Sequence, residues 1–239
     1  MIWVKSIKSI DIGKKVTSIG TDTFLDCITL VSVTIPKTVT SIGSGAFTSC
    51  SSLASVTIPE DSELESIGPS AFQGCSSLTS LELPSSLMVI GSYAFESSGL
   101  TSITVPDLVT DIPEYCFENC KHLLSVNLPV SLEKIGDLAF FACQSLQSLT
   151  IPDNVSYIRP SAFDGCQSLQ SLTIPSSVWS IGTGAFNNCG NLQLTMTGKS
   201  MLDVQQMEDY PWCLPAGNLI VCSDGPLVSP GCGSSGSYS

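Results

Sequence analysis

The sequence is poor in the residues that perform chemistry. Asp, Glu, Lys and Arg make up only 13% of 239 residues, and His122 is the single histidine. There is no G-x-S-x-G, no H-E-x-x-H, no phosphate-cradling glycine loop, and no set of Cys, His and acid that the repeat described below leaves unexplained. A catalytic site is therefore not expected, and His122, in Lys121-His122-Leu123, reads as a solvated loop residue. Basic residues are scarce too: nine Lys and Arg against 21 Asp and Glu give a net charge of -12. That balance repels phosphate backbones and anionic lipid surfaces, so nucleic acid is not an expected partner. No run of roughly 18 apolar residues exists to span a membrane. Met1 to Lys15 alternates apolar and polar residues without a small-residue cleavage site, so no signal peptide is visible. This leaves an intracellular protein, a trimmed chain, or an export route without an N-terminal mark.

What the sequence has is apolar residues, 43% of the chain, and a period. Ser145 to Pro152 and Ser168 to Pro175 both read SLQSLTIP. Phe24, Phe47, Phe72, Phe95, Phe117, Phe140, Phe163 and Phe186 follow one another at 23, 25, 23, 22, 23, 23 and 23 residues. A fixed period of this length marks stacked repeats. The unit is L-x-x-L-x-I-P-x-x-V-x-x-I-x-x-x-A-F-x-x-C-x-x, and Ile7 to Gly13 opens a partial N-terminal copy. The acidic loop Glu60 to Glu65 adds two residues, and Ser97-Ser98-Gly99 drops one.

Each part of the unit has a physical reading. Leu-x-x-Leu-x-Ile alternates branched apolar with Ser, Thr and Gln, as a half-buried strand does, and Pro ends it by removing an N–H from the ladder. Val-x-x-Ile-Gly supplies a second short extended segment. Ala-Phe-x-x-Cys-x-x-Leu has apolar spacing that predicts a single helical or 3₁₀ turn. One such coil cannot bury its own apolar side, but stacked copies can. The expected fold is a β-rich solenoid of the α/β repeat class, with about eight 23-residue repeats plus the partial one, on the order of 40 Å long at the usual strand spacing.

The pattern closely resembles the BspA-like, or treponemal-type, leucine-rich repeat, carried by strings such as VTIPKTVTSIGSGAFTSCSSL (Val33 to Leu53) and covering Ile7 to about Gly198. The resemblance implies a leucine-rich-repeat solenoid on a surface or secreted protein of bacteria or mucosal protists, adhering to host proteins or other cells. The expected division is a solenoid over 1–198, a capping helix and strand over 199–224, and a flexible tail over 225–239. The cap is read from Ser200 to Asp203, a capping box opening a helix of about ten residues that Tyr210-Pro211-Trp212 stops. A strand follows at Asn218 to Cys222, and Asp224-Gly225 makes a turn.

Seven of the eleven cysteines (Cys27, Cys50, Cys75, Cys120, Cys143, Cys166, Cys189) lie three residues after the ladder Phe, and Ser98 takes the eighth place. Substitution by Ser shows that the position wants a small side chain, so these read as free buried thiols and not as a metal or disulfide set. A disulfide among Cys213, Cys222 and Cys232 is left open. The carboxylates Glu60, Asp61, Glu63 and Glu65 lack calcium-loop spacing and read as a solvated loop. No cofactor is implied.

The outward strand positions are nearly uniform: Ser32, Ser55, Ser80, Ser102, Ser125, Ser148 and Ser171 form one column, with Thr34, Thr57, Glu82, Thr104, Asn127, Thr150 and Thr173 in another. Such a face has few of the Trp, Tyr and Arg residues that dominate binding energy. Departures from uniformity carry more information. Tyr157 and Trp179 interrupt the exposed polar pairs of the Val-x-x-Ile segment in neighbouring coils, and Arg159 stands where Gly is usual. These three form the candidate binding patch. The expected function is a protein-binding or adhesion module for a host, cell-surface or glycan-bearing partner. The alternative is a structural spacer of a cell surface or phage particle.

Overall fold

In a computed structural model, which describes residues 7–231, the repeats wind into a solenoid with two parallel β faces and a third side of tight turns. On the first face, Ser9–Asp11, Ser32–Thr34 and Ser55–Thr57 pair in parallel, with Ser9 opposite Ser32 and Ser32 opposite Ser55. Ser102–Thr104, Ser125–Asn127 and Ser148–Leu149 form a second run, and Ser171–Ile174 with Gln193–Met196 begins a third. The segment around Ser80 forms no strand, which interrupts the expected first-face ladder. The two irregular repeat lengths bracket it: the Glu60 to Glu65 loop precedes it and the shortened Ser97 to Gly99 loop follows it. Shallow clefts of about 210 and 360 Å³ lie on either side of Ser80 and Glu82.

The second face consists of two-residue strands, each placing one side chain outward and its Ile inward. Ser18–Ile19, Ser41–Ile42, Ser66–Ile67 and Val89–Ile90 form one sheet, and Asp111–Ile112, Lys134–Ile135, Tyr157–Ile158 and Ser180–Ile181 another. The Gly that follows most of these isoleucines is required by contact. A Cβ on Gly136 would lie 2.6 Å from the Glu114 N, on the backbone of the preceding coil.

The third side differs from the helical or 3₁₀ turn that the apolar spacing predicts. The stretch around each Phe is a chain of hydrogen-bonded turns, with a left-handed residue two before and two after the ring. Gly45 (φ 62°) and Ser49 (φ 60°) flank Phe47, and Tyr93 (φ 60°) and Ser97 (φ 54°) flank Phe95. Each left-handed residue interrupts the helical path and points alternate amides along the solenoid axis. The Phe47 N–H donates to Ala71 O at 2.8 Å, Phe72 to Ala94 at 2.8 Å, and Phe117 to Ala139 at 2.8 Å. Buried amides must be paired, and a helical turn this short would leave most of its own unpaired. The intercoil bonds resolve this, at a cost of about 1–2 kcal/mol for each left-handed residue that is not Gly.

The core is a stack of rings. From Phe24 to Phe186 consecutive ladder phenylalanines lie 5.2 to 5.8 Å apart, with planes within 3° to 23° of parallel. The cysteine column beside it is buried and free, and it has a role beyond small size. From Cys50 onward each column thiol donates to the Phe carbonyl of the preceding coil: Cys143 Sγ to Phe117 O at 3.1 Å, and Cys189 Sγ to Phe163 O at 3.0 Å. The Phe117 carbonyl also accepts from Cys120 N at 3.1 Å, so both its lone pairs are used. Ser98, the exception, keeps a small hydroxyl, 3.3 Å from Cys120 Sγ.

The C-terminal end is closed by groups outside the repeat. Trp212 is fully buried and stands edge-on to Phe186 at 6.5 Å, and its carbonyl accepts the Phe186 N–H. The Asp209 carboxylate accepts the Thr183 N–H at 3.0 Å. Ser200 forms the expected capping box, but the helix is only Met201–Gln205, half the expected length, because the chain must return to bring Asp209 and Trp212 over the last coil. Leu219–Cys222 pairs in parallel with Gln193–Met196. Gly225–Val228, expected as the start of a tail, folds back on it as an antiparallel strand. The remainder of the expected tail, 232–239, lies outside the described residues. Cys213 is disulfide-bonded and Cys222 is free, while Cys232 lies outside the described residues.

Candidate recognition surface

The outward columns of the first face are exposed hydroxyls with branched residues buried between them, as in Ser32–Thr34 and Ser102–Thr104. This is a uniform polar background on which exceptions stand out.

On the second face the structure brings two of the three predicted residues into contact. Tyr157 and Trp179 meet edge to face, ring centroids 4.5 Å apart at 63°. Trp179 is 57% exposed, unusual for so large an apolar side chain. Strand register places Lys134 directly beside Tyr157. Arg159, the sole arginine of the sequence, is exposed, and its Nε lies 3.5 Å from Asp137 of the preceding coil, a partner that sequence reasoning missed. It occupies the close-contact position of Gly136 and keeps the ladder bond made there. Arg159 N to Ile135 O is 3.0 Å, where Gly136 and Gly182 make the same bond at 2.8 Å. The patch thus offers an exposed indole braced by a phenol, with a guanidinium and an ammonium at its border.

A second group of exceptions was not foreseen, because it lies on the turn side that the sequence pattern assigns to a helical turn. The left-handed position two before Phe is Asp22, Gly45, Ser70, Ser161 or Gly184 in other coils, but Tyr93, Tyr115 and Leu138 in three consecutive ones. Tyr93 and Tyr115 stack at 4.4 Å and 6°. The position one after Phe holds Glu96, Glu118 and Phe141 in the same coils, all partly exposed. Glu96 accepts from Gln73 Nε2, and Glu118 from Asn119 Nδ2. Desolvation, and then the Glu96 charge, push the Glu118 carboxyl above its usual range. Desolvation, and then Tyr115 and the nearby Glu114 and Glu118, push the Tyr93 phenol up. The signal available in the sequence was two tyrosines 22 residues apart at a position otherwise small.

The other polar candidates remain dispersed. His122 is exposed on the turn after Cys120. Asp61, in the acidic loop, pairs with Lys37 at 3.1 Å, both side chains well exposed.

Comparison with known proteins fixes the family. The profile described as BspA type leucine rich repeat region matches residues 3–124 and 89–207, in six copies. The chain belongs to the BspA-type leucine-rich repeat family. No curated protein matches the sequence. Among solved structures, this BspA-type chain is similar to a leucine-rich repeat protein from Bacteroides ovatus, 33% identical with a TM-score of 0.73, over 80% of this chain and 51% of that one. It is also similar to a leucine rich cell surface protein from Faecalibacterium prausnitzii (32% identity, TM-score 0.54, 75% of this chain and 64% of that one). The leucine rich repeat protein of T. pallidum is 29% identical, with a TM-score of 0.56, over 77% of this chain and 78% of that one. The BspA-type chain therefore spans about half the length of the B. ovatus protein. Among the described residues no helix is long and apolar enough to cross a membrane.

Proposed function

We propose that this BspA-type solenoid is a protein-binding module of a surface-associated protein, and that Tyr157, Arg159 and Trp179 form a contact patch. The observation that carries the proposal is the exposed Tyr157–Trp179 pair, two aromatic rings in contact at positions that other coils fill with Ser, Thr, charged residues or the aliphatic Met88 and Val89. Aromatic and arginine side chains supply most of the affinity at protein interfaces, and an exposed indole is also a stacking surface for a sugar ring. The F. prausnitzii relative is a cell surface protein by its description, which supports the same setting here.

The test replaces the three residues with those that other coils use, as Tyr157→Ser, Arg159→Gly and Trp179→Thr. Binding is measured to immobilised extracellular-matrix proteins and to a glycan array. The expected result is an unchanged thermal midpoint with binding reduced at least tenfold. Unchanged binding refutes the patch, and no binding by the native chain to either surface favours the spacer reading.

A further inference from the structure

We infer that the turn side of the coils around Phe95, Phe117 and Phe140 is a second recognition surface, whose partner is a cationic protein segment with a Lys or Arg side chain seated against Tyr93 and held by Glu96 and Glu118. Three independent features point there. Bulky side chains occupy the left-handed position at Tyr93 (φ 60°), Tyr115 (φ 57°) and Leu138 (φ 52°), which Asp22, Ser70 and Ser161 hold with short side chains and Gly45 and Gly184 hold without strain. Three consecutive coils thus carry large side chains, left on the surface, at a position the other coils keep small, which points to a use for them. The second feature is the apolar character of the patch: Tyr93, Tyr115, Leu138 and Phe141 are all partly exposed on one side of the solenoid. Tyr93 stacks on Tyr115 alone, and the equivalent residue on its other side is the short Ser70, so one ring face is left for a ligand.

The third feature selects the occupant by charge. Glu96 and Glu118 are neighbours in successive coils, close enough for the Glu96 charge to act on Glu118. Their hydrogen-bond partners, Gln73 and Asn119, are neutral. The salt bridges among the described residues, Lys37–Asp61 and Arg159–Asp137, reach neither carboxylate. A cation over a tyrosine face with carboxylates beside it gains from the ring quadrupole and from both charges. An acidic or neutral segment would gain nothing from the glutamates.

This inference shares with the proposed function the view that the solenoid is a recognition surface, but it rests on different coils, and each patch is altered without touching the other. The probe is a hexa-arginine peptide, titrated into the full chain and followed by backbone amide shifts and calorimetry, with hexaglutamate as the control ligand. Shifts are expected to concentrate at 93–96, 114–118 and 138–141. Glu96→Gln with Glu118→Gln should weaken binding about tenfold. Tyr93→Ser with Tyr115→Ser, which restores the residue used by other coils, should weaken it about fivefold while the thermal midpoint holds or rises. Tyr93→Phe with Tyr115→Phe should bind as the native chain does. Glu133→Gln with Asp153→Asn removes the same charge elsewhere and should change affinity less than twofold. If that control weakens binding as much as the Glu96 and Glu118 pair does, or if the shifts spread over the whole acidic surface, attraction to net charge alone explains the result and the site is refuted.

Discussion

Phe117→Ala is the sharpest test of how the solenoid is held together. The ring is fully buried and stacks on Phe95 at 5.5 Å and on Phe140 at 5.3 Å, so one substitution empties a site shared by three coils. Truncating a buried Phe costs about 3–5 kcal/mol, through lost transfer energy and the cavity left behind. The upper half of that range is expected here. The backbone on either side is tied into intercoil bonds, such as Phe95 N to Cys116 O at 3.0 Å and Phe117 N to Ala139 O at 2.8 Å, and it cannot collapse into the gap. Phe24 provides the internal comparison. It is only partly buried and has one ring neighbour among the described residues, Phe47 at 5.2 Å, so Phe24→Ala should cost about half as much, roughly 2 kcal/mol. Urea denaturation followed by circular dichroism measures both. Native-state hydrogen exchange adds the location: because each coil contacts only its neighbours, protection should fall most in the coils of Phe95, Phe117 and Phe140. Equal losses for the two variants, or deprotection spread evenly along the chain, would refute the reasoning that stability is a sum of local stacking contacts.

Two further outcomes follow from the site and the core. Burial pushes the column thiols up, Cys120 to about 11 and Cys50 to about 12, so at pH 8 they hold almost no thiolate and should resist iodoacetamide in the native chain. Mass spectrometry should find Cys50, Cys120, Cys143 and Cys166 unmodified until denaturant is added, and native labelling at ordinary thiol rates would contradict their place in the core. Because the Glu118 carboxyl is raised, the folded chain binds its proton more tightly than the unfolded chain does. Its contribution to stability therefore grows as pH falls through the raised value and is complete below the ordinary carboxyl range. Relative to the native chain, Glu118→Gln should then be more stable at pH 7 than at pH 4, and a difference that is constant or opposite in sign would count against the desolvation of Glu118 and its crowding with Glu96.

The parts of the fold legible in the sequence are those set by side-chain period. The Phe register, the outward Ser and Thr columns and the inward Ile of each short strand follow from which residues are apolar, and each is found in place. The turn side was not legible, because its conformation is decided between coils. Whether Ala46 to Cys50 makes a helical turn depends on where the amides of Ser49 and Phe47 find acceptors, and those acceptors, Gln73 O and Ala71 O, belong to the next repeat. The thiol bonds were hidden for the same reason, since Cys143 finds its acceptor in the coil of Phe117. The closing role of Trp212 was hidden because it lies outside the repeat and replaces a ring by position alone.

This division between what repeats and what does not has a consequence for where recognition can evolve in such a chain. A residue whose side chain faces inward is constrained by equivalents in both neighbouring coils, as Phe117 is by Phe95 and Phe140, so any change there disturbs three units. An outward residue has no such obligation, and the background settles on small polar side chains that fit every coil. Departures cheap for the fold, such as Ser to Thr, carry no information. Departures in size do: Arg159 stands where a Cβ on Gly136 would meet the neighbouring backbone, and Tyr93, Tyr115 and Leu138 stand at a left-handed position that the other coils fill with Gly, Ser or Asp. Neither departure fills the core, because all four side chains remain at least partly exposed. Their retention is best explained by contacts outside the chain. The two patches also meet in sequence at Asp137-Leu138: Asp137 pairs with Arg159 of one, and Leu138 continues the tyrosine column of the other. A partner bound at the turn side therefore lies next to the ion pair that orients Arg159. Asp137→Asn should loosen that arginine and weaken binding at the Trp179 patch, while hexa-arginine still binds at Tyr93.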